Sequence, residues 1–132
     1  MTAPASPAPA APSGDVVIRT IAMPAVANAN GDIFGGWLVS QMDLGGAILA
    51  RNTALSRVTT VAIDALTFVS PVSVGDTVSC YASLERIGRT SMRISVEAWV
   101  HHFLTRTQVR VTAGMFTYVA IDAAGKPHPV KR

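Results

Sequence analysis

The sequence has a single cysteine, Cys80, among its 132 residues, so no disulfide can form within the chain. Disulfides belong to oxidising compartments, and a chain without one suits the reducing cytoplasm. Cys80 alternates with apolar residues, namely Val78, Ala82 and Leu84. This alternation is typical of the buried face of a strand. We therefore expect Cys80 to pack in the core rather than to react.

Charged residues are also scarce, at 14% of the chain, and the formal net charge is only +3. So little charge is unusual for a solvated monomer and indicates that partner subunits cover part of the surface. The basic residues are scattered, and no helix-turn-helix or RNA-binding signature is present, so we expect no nucleic-acid partner. A few arginines that bind a phosphorylated small molecule would account for the same balance.

No apolar run approaches the ~18 residues that a membrane-spanning helix needs, so no membrane span is expected. The first fourteen residues, MTAPASPAPAAPSG, lack the basic start and the apolar core of a signal peptide. Their richness in proline and alanine is typical of disordered segments. We expect residues 1–14 to form a disordered tail, residues 15–132 to form a single domain, and the protein to be cytoplasmic.

One helix is predicted, beginning at Gly35 or Gly36 and ending at Ala54, after a loop rich in Asn, Gly and Asp. Five other segments are rich in β-branched residues or alternate apolar and polar residues, as strands do. These predicted strands cover residues 15–23, 58–70, 77–87, 90–103 and 107–122. Gly114, within the last of them, is a candidate for a β-bulge.

The predicted strands are joined mostly by short turns, which favours an antiparallel meander. The helix is apolar on nearly every side, whereas a helix on a flat sheet would have a polar face. The sequence therefore predicts an α+β domain, in which a curled antiparallel sheet of about five strands wraps around one long central helix.

The middle of this apolar helix carries Asp43, and a carboxylate buried without a partner is costly. Residues three and four positions apart share a helix face. The neighbours of Asp43 on its face are small: Gly36, Ser40, Ala47 and Ala50. Two interpretations follow. Asp43 is either a hydrogen-bonded residue at a helix–helix contact of a dimer, or a functional carboxylate beside a thin ligand.

The start of the helix favours the functional interpretation. Gly35 and Gly36 would leave free N–H groups at the positive end of the helix dipole. Such donors suit the carbonyl oxygen of an ester or thioester, which gains negative charge under attack. A glycine pair also keeps side chains away from the ligand.

The block FGGW…QMD around this helix resembles the catalytic signature of hotdog-fold acyl-CoA thioesterases, most closely the small bacterial YciA-like group. The segments VAIDALTFVSPVSVGDTVSCYASLERIGRTSM and FTYVAID…G.P.PV resemble the same group, so the resemblance covers nearly everything after the tail. It implies a hotdog fold and an enzyme that hydrolyses acyl-CoA thioesters to free CoA and carboxylic acid. It also implies homodimers with shared active sites, assembled as a trimer of dimers. No cofactor is expected, because CoA is part of the substrate and product.

The resemblance also implies roles for individual residues. Asp43 takes the place of the catalytic carboxylate, which acts as a general base on water or as a nucleophile. Asn28 takes the place of the loop asparagine that positions water or the thioester oxygen. Asn30 is the alternative candidate for this role, although it is more typical of a turn residue. The N–H groups around Gly36 would donate hydrogen bonds to the thioester oxygen, and Gly35 would contact the substrate next to it. The resemblance implies no metal ion.

The segment RIGRTSM joins two predicted strands, and the resemblance suggests that it lines the CoA channel. The residues concerned are Gly88, Arg89, Thr90 and Ser91. The alternative is a plain hairpin turn with Gly88 at a positive φ. Arginines near the channel would suit the CoA phosphates. The sequence leaves four basic residues as candidates: Arg57, Arg86, Arg89 and Lys126.

Two other functions remain open at this point, a hotdog dehydratase acting on acyl-thioesters and a non-catalytic acyl-CoA binding module. The dehydratases use a histidine, whereas the three histidines here, at positions 101, 102 and 128, lie outside the loop and the helix. His101 and His102 would point to opposite faces of a strand and are expected at the surface. A binding module would gain nothing from a costly carboxylate near the thioester.

Overall fold

The computed structural model describes residues 11–105 and 107–130, which form one α-helix, one short 3-10 helix and a single five-stranded sheet. The helix α1 spans Gly35–Ala54, and the strands are β1 (Asp15–Ile21), β2 (Arg57–Phe68), β3 (Thr77–Ile87), β4 (Ser91–His101) and β5 (Gln108–Ile121). A 3-10 turn at Pro24–Val26 leads into the loop before α1. The α+β class and the predicted bounds of the helix are confirmed.

The strand order is β1-β3-β4-β5-β2, with every neighbouring pair antiparallel. The predicted meander is therefore confirmed for β3, β4 and β5 only. β2 lies at one edge beside β5, and β1 lies at the other edge beside β3. Turn-forming residues in a sequence predict pairing between strands that follow one another in the chain. The pairing of β2 with β5 joins distant segments, and it depends on how the whole sheet is buried.

The sheet packs against one side of α1. The buried residues of the helix are Leu38, Met42, Gly45, Gly46, Ala50 and Ala54. Glycine is needed at position 46, because a Cβ there would lie 2.9 Å from Cζ of Tyr118 on β5. Cys80 on β3 is fully buried in the same core, and burial raises the pKa of its thiol to about 12. The packing role predicted for Cys80 is thus confirmed.

The other side of α1 is open in the single chain. Leu44 is 57% exposed and Leu55 is 70% exposed, and the neighbouring edge strand β2 adds Val61 and Ile63, also exposed. The apolar sequence of the helix predicted that the sheet would bury it on nearly every side. This prediction is wrong for the single chain, in which the sheet covers one side of the helix only. An apolar surface of this kind marks a site of interaction with another molecule. Within the described residues, no helix is both long and apolar enough to cross a bilayer.

The bulge suggested by Gly114 lies in the strand opposite to it. The register of β2 against β5 shifts between Asp64 and Thr67, so Ala65 and Leu66 together oppose Gly114. Ala65 has a positive φ of 53°. A Cβ at Gly114 would lie 2.9 Å from Cδ1 of Leu66, and the glycine thus makes room for the bulged residue.

The chain contacts the domain slightly before the predicted boundary. The N–H of Ser13 donates to Oε1 of Glu97 at 3.0 Å, and Glu97 is buried on β4. Gly14 has a φ of +95°, and a Cβ there would lie 2.6 Å from the main-chain carbon of Ala82. Residues 1–10 of the predicted tail lie outside the described residues, so their disorder stays a prediction. At residues 13 and 14, however, the structure shows contacts where the sequence predicted none.

Two deletions should separate these two parts of the tail. Removal of residues 2–10 should leave the melting temperature and activity unchanged, because their composition cannot support packing. Removal of residues 2–14 should lower the melting temperature by about 3 °C, since it takes one hydrogen bond from a buried carboxylate. Differential scanning calorimetry of both variants tests this. Equal melting temperatures would show that the contacts of Ser13 and Gly14 contribute nothing to stability.

Candidate active site

The carboxylate of Asp43 is held by two hydroxyl groups of the sheet. Its Oδ1 accepts hydrogen bonds from Thr60 Oγ1 at 2.7 Å and from the Tyr118 hydroxyl at 3.1 Å. Thr60 on β2 and Tyr118 on β5 are register partners, so they present their hydroxyls side by side. Asp43 itself is half-buried, at the border between the packed and the open side of α1. No described residue donates a hydrogen bond to Oδ2 or pairs a cation with Asp43.

Tyr118 also donates to the main-chain oxygen of Asp43 at 2.8 Å. Its pKa is raised well above the usual range, first by burial and then by the charge and hydrogen bond of Asp43. The phenol therefore stays protonated and acts as a donor. Sequence reasoning missed both partners, because Thr60 and Tyr118 follow Asp43 by 17 and 75 residues.

The start of α1 offers free donors, as the glycine pair predicted. Phe34 precedes the helix and supplies no side-chain cap. The N–H groups of Gly35 and Gly36 find no acceptor among the described residues. A Cβ at Gly36 would meet open space, whereas one at Gly35 would lie 3.2 Å from Cε1 of Phe68. Both N–H groups are thus available to an oxygen atom of a ligand.

Asn28 lies in the loop before α1 and organises it. Its Oδ1 accepts hydrogen bonds from the N–H groups of Asn30 at 2.9 Å and Asp32 at 3.1 Å. The turn passes through Gly31, which has a φ of +82°. The Nδ2 group of Asn28 donates to no described residue and is available to a ligand. Asn30, the alternative candidate, is exposed and contributes its main-chain N–H to the turn. This contact agrees with the turn role expected for Asn30.

An apolar cavity of about 470 Å³ opens beside the start of α1. It is lined by residues of the loop, the helix and the end of β2, namely Ile33, Gly35, Leu38, Phe68, Val69, Ser70, Pro71 and Val72. Such a lining suits the hydrocarbon part of a ligand whose polar group lies at the free N–H groups.

Within one chain, the two halves of the candidate site do not meet. Gly36 and Asp43 are seven residues apart on α1, which is about 10 Å along the helix axis. The sheet shows the same separation, because Asp43 contacts Thr60 whereas Gly35 lies against Phe68, eight residues further along β2. A single thioester carbonyl cannot touch both ends of this span.

The segment from Gly88 to Ser91 forms the hairpin between β3 and β4. The N–H of Gly88 donates to the Ser91 oxygen at 2.8 Å. Positive φ angles occur at four described glycines, Gly14, Gly31, Gly75 and Gly125. The alternative that placed Gly88 at a positive φ is therefore wrong. The main-chain oxygens of Arg89 and Thr90 accept hydrogen bonds from later parts of the chain, so the hairpin is fixed on the domain.

A second cavity, of about 270 Å³, lies at this hairpin and is lined by Arg86, Gly88, Ser91, Arg93 and Thr117. The sequence named Arg86 among its candidates but missed Arg93, which lies opposite Arg86 in the sheet register. Arg93 also pairs with Asp64 at 3.6 Å. Another candidate, Arg57, does not line this cavity, and its guanidinium group donates to the main-chain oxygen of Ala123 at 3.5 Å. The structure does not bring this cavity into contact with Asp43.

The two neighbouring histidines serve local contacts. His102 Nδ1 lies 2.8 Å from the buried carboxylate of Asp76, and the ring of His101 contacts the Thr105 oxygen. Both histidines are half-buried rather than fully at the surface. In the parts of the chain that the structure describes, no three His, Cys, Asp or Glu side chains converge as they would around a metal ion.

Comparison with known proteins matches this chain to thioesterases, both by a family model and by individual relatives. Residues 30–102 match the model of the thioesterase superfamily. Acyl-CoA thioester hydrolase YciA of Salmonella typhimurium is 52% identical over 122 residues, which cover 90% of this chain and 92% of that protein.

Solved structures agree with the sequence comparison. The hexameric thioesterase y2039 from Yersinia pestis is 51% identical, with a TM-score of 0.89 over 92% of this chain and all of that one. A variant of HI0827, a hexameric broad-specificity acyl-coenzyme A thioesterase, has one aspartate replaced by alanine. It is 46% identical, with a TM-score of 0.88 over 91% of this chain and 88% of that one. The chain therefore belongs to the thioesterase superfamily, with its hotdog fold, and within it to the family of the YciA acyl-CoA thioester hydrolases.

Proposed function

We propose that the protein hydrolyses acyl-CoA thioesters with Asp43 as its catalytic carboxylate. The observation that carries this proposal is the geometry of Asp43, whose Oδ1 is held by two hydroxyls while Oδ2 accepts no hydrogen bond from the described residues. Asp43 is half-buried, and among the described residues no fully buried side-chain oxygen lacks a hydrogen bond, so Oδ2 is reached by solvent and is open to a water molecule or a ligand. The family of the chain and the acyl-CoA hydrolase activity of its relatives support the same chemistry.

The reaction requires a nucleophile and a site for negative charge. In one route, Asp43 takes a proton from water, the water oxygen attacks the thioester carbon, and the C–S bond breaks. The proton then passes to the CoA sulfur. In the other route, Oδ2 attacks the thioester carbon, the C–S bond breaks and CoA leaves as the thiolate. Water then hydrolyses the anhydride to the free acid and the Asp43 carboxylate, and a proton from this water passes to the thiolate. Both routes place charge on the carbonyl oxygen, which the free N–H groups at Gly36 and Gly35 would stabilise, while Nδ2 of Asn28 orients the reactants.

The two halves of the site come from two protomers in this proposal. The open side of α1 and the edge strand β2 beside it both expose large apolar side chains, among them Leu44, Ile48, Val61 and Ile63. An unprotected edge strand of this length favours pairing with another strand. A second copy, related by a two-fold axis, would cover this surface and bring its Gly36 and Asn28 to Asp43. The hexameric state of y2039 and HI0827 supports a trimer of such dimers.

The hairpin cavity is the proposed site for the charged part of CoA. Arg86 and Arg93 supply two guanidinium groups there, and the hydroxyls of Ser91 and Thr117 supply donors. Arginine suits phosphate because its planar fork donates two parallel hydrogen bonds. Gly88 and Ser91 line this cavity, and Arg89 and Thr90 lie between them in the hairpin without lining it, so the proposed CoA site includes all four residues. The proposal requires no cofactor or metal, and a cytoplasmic location agrees with CoA esters as substrates.

Thiol release from a panel of acyl-CoA esters tests the function directly. The panel should range from acetyl-CoA to long-chain esters, with the freed CoA thiol detected by a chromogenic disulfide. We expect CoA release with at least one ester. A 3-hydroxyacyl-CoA ester should give the free acid and no enoyl product, whereas a dehydratase would form the enoyl ester without releasing thiol. Binding of every ester without turnover would instead indicate a binding module.

A further inference from the structure

The phenol of Tyr118 makes an unusual pair of contacts with one residue. Its side chain is fully buried, and its hydroxyl donates both to the main-chain oxygen of Asp43 at 2.8 Å and to Oδ1 at 3.1 Å. A donor shared between the main chain and the carboxylate of the same residue restricts the side-chain torsions that lie between them. Tyr118 therefore fixes the direction in which the carboxylate points.

Gly46 creates the space for this contact. It follows Asp43 by three residues and so lies on the same face of α1. A Cβ at position 46 would lie 2.9 Å from Cζ of Tyr118 and would contact the hydroxyl oxygen still more closely. Glycine inside a helix is destabilising relative to alanine. The close approach of the phenol explains why this helix has a glycine there.

We propose that Tyr118, admitted by Gly46, is a positioning residue that directs Oδ2 of Asp43 toward the reacting atoms. This inference rests on the proposed function, in which Asp43 is the catalytic carboxylate. Oδ1 is occupied by the hydroxyls of Thr60 and Tyr118, so Oδ2 is the oxygen that can accept a proton from water or attack the thioester. Tyr118 touches no reacting atom and acts through Asp43.

The replacement Tyr118→Phe removes the hydroxyl and keeps the ring. We expect kcat to fall about 10- to 100-fold, the effect of losing one hydrogen bond to a charged group, and KM to stay within about twofold. A hydrogen bond to an ionised carboxylate favours the ionised form. Its loss should therefore move the acid limb of the pH–kcat profile to higher pH, a readout that a purely structural role would not change.

Two matched variants serve as controls. Tyr81→Phe removes a phenol that contacts Arg19 and Gln108, away from Asp43, and should leave kcat and the pH profile unchanged. Gly46→Ala should reproduce the loss of kcat, because the new methyl group displaces the Tyr118 hydroxyl. Gly45→Ala inserts the same group one residue earlier, where a Cβ would lie 2.7 Å from Cγ2 of Val17. It should lower stability at most and keep kcat.

The outcomes separate this inference from the function on which it rests. Turnover retained in Asp43→Asn would overturn the catalytic role of Asp43, on which this inference rests, and would leave the hydrolase activity itself standing. If Asp43→Asn is inactive but Tyr118→Phe keeps the kcat and pH profile of the wild type, the positioning role is wrong and the function stands. A fall in kcat without any movement of the acid limb, or an equal fall in Gly45→Ala, would also overturn it, because packing alone would then explain the loss.

Discussion

Asp43→Asn should lower kcat at least about 100-fold, the usual effect of removing a general base, with the melting temperature unchanged. Asparagine keeps the shape of aspartate, and its amide oxygen can still accept the hydrogen bonds of Thr60 and Tyr118. What the variant loses is the charge and the nucleophilic oxygen. Steady-state thiol release with the best ester of the panel, together with a thermal melt, measures both quantities.

Glu85→Gln is the matched control, because it exchanges a carboxylate for an amide at an exposed position of β3. Its kcat should equal that of the wild type within about twofold. Near-normal turnover in Asp43→Asn would contradict the catalytic assignment and leave the hydrogen-bonded packing residue as the explanation. Loss of activity together with a lowered melting temperature would instead show that the charge itself supports the fold.

The features predicted correctly from the sequence are those set by near neighbours in the chain. The helix begins at Gly35 and ends at Ala54, because a continuous apolar segment follows a loop rich in turn-forming residues. The free N–H groups at Gly35 and Gly36 follow from the helix start itself. The choice of Asn28 over Asn30 depends on the resemblance alone and stays a prediction; the turn contacts show only that the loop uses the side chain of Asn28 and the main chain of Asn30.

The features that the sequence did not predict depend on contacts between distant segments. Thr60 and Tyr118 become neighbours only because β2 pairs with β5, and consecutive turns do not indicate that pairing. Arg93 joins Arg86 at the hairpin cavity through the register of β4 against β3. The need for glycine at position 46 likewise comes from the phenol of Tyr118, which lies 75 residues after Asp43 in the chain.

The separation of Gly36 from Asp43 leads to a test of the two-chain site. If two copies pack their helices antiparallel along the open side of α1, Asp43 of one protomer falls opposite Gly36 of the other. Asn28 lies in the loop that leads into Gly36 and would come from the same protomer as Gly36. Each two-fold dimer would then contain two equivalent sites, each built from both chains.

Asn28→Ala and Asp43→Ala should therefore each be inactive alone and recover activity when they are unfolded together and refolded. In a mixed dimer, one site combines the intact Asp43 of the first protomer with the intact Asn28 of the second, and the other site has both defects. Random pairing makes about half of the dimers mixed, so about a quarter of the wild-type activity should return. Thiol release after refolding, normalised to refolded wild type, measures this fraction.

The controls decide between recovery of sites and recovery of folding. Asp43→Ala refolded with Asp43→Asn should stay inactive, because no pairing restores the carboxylate. The two single variants mixed without unfolding should gain activity only as fast as protomers exchange. If the refolded pair stays inactive while refolded wild type recovers, Asn28 and Asp43 serve the same site from one chain. In that case the 10 Å along α1 would have to be spanned by the ligand rather than by a second protomer.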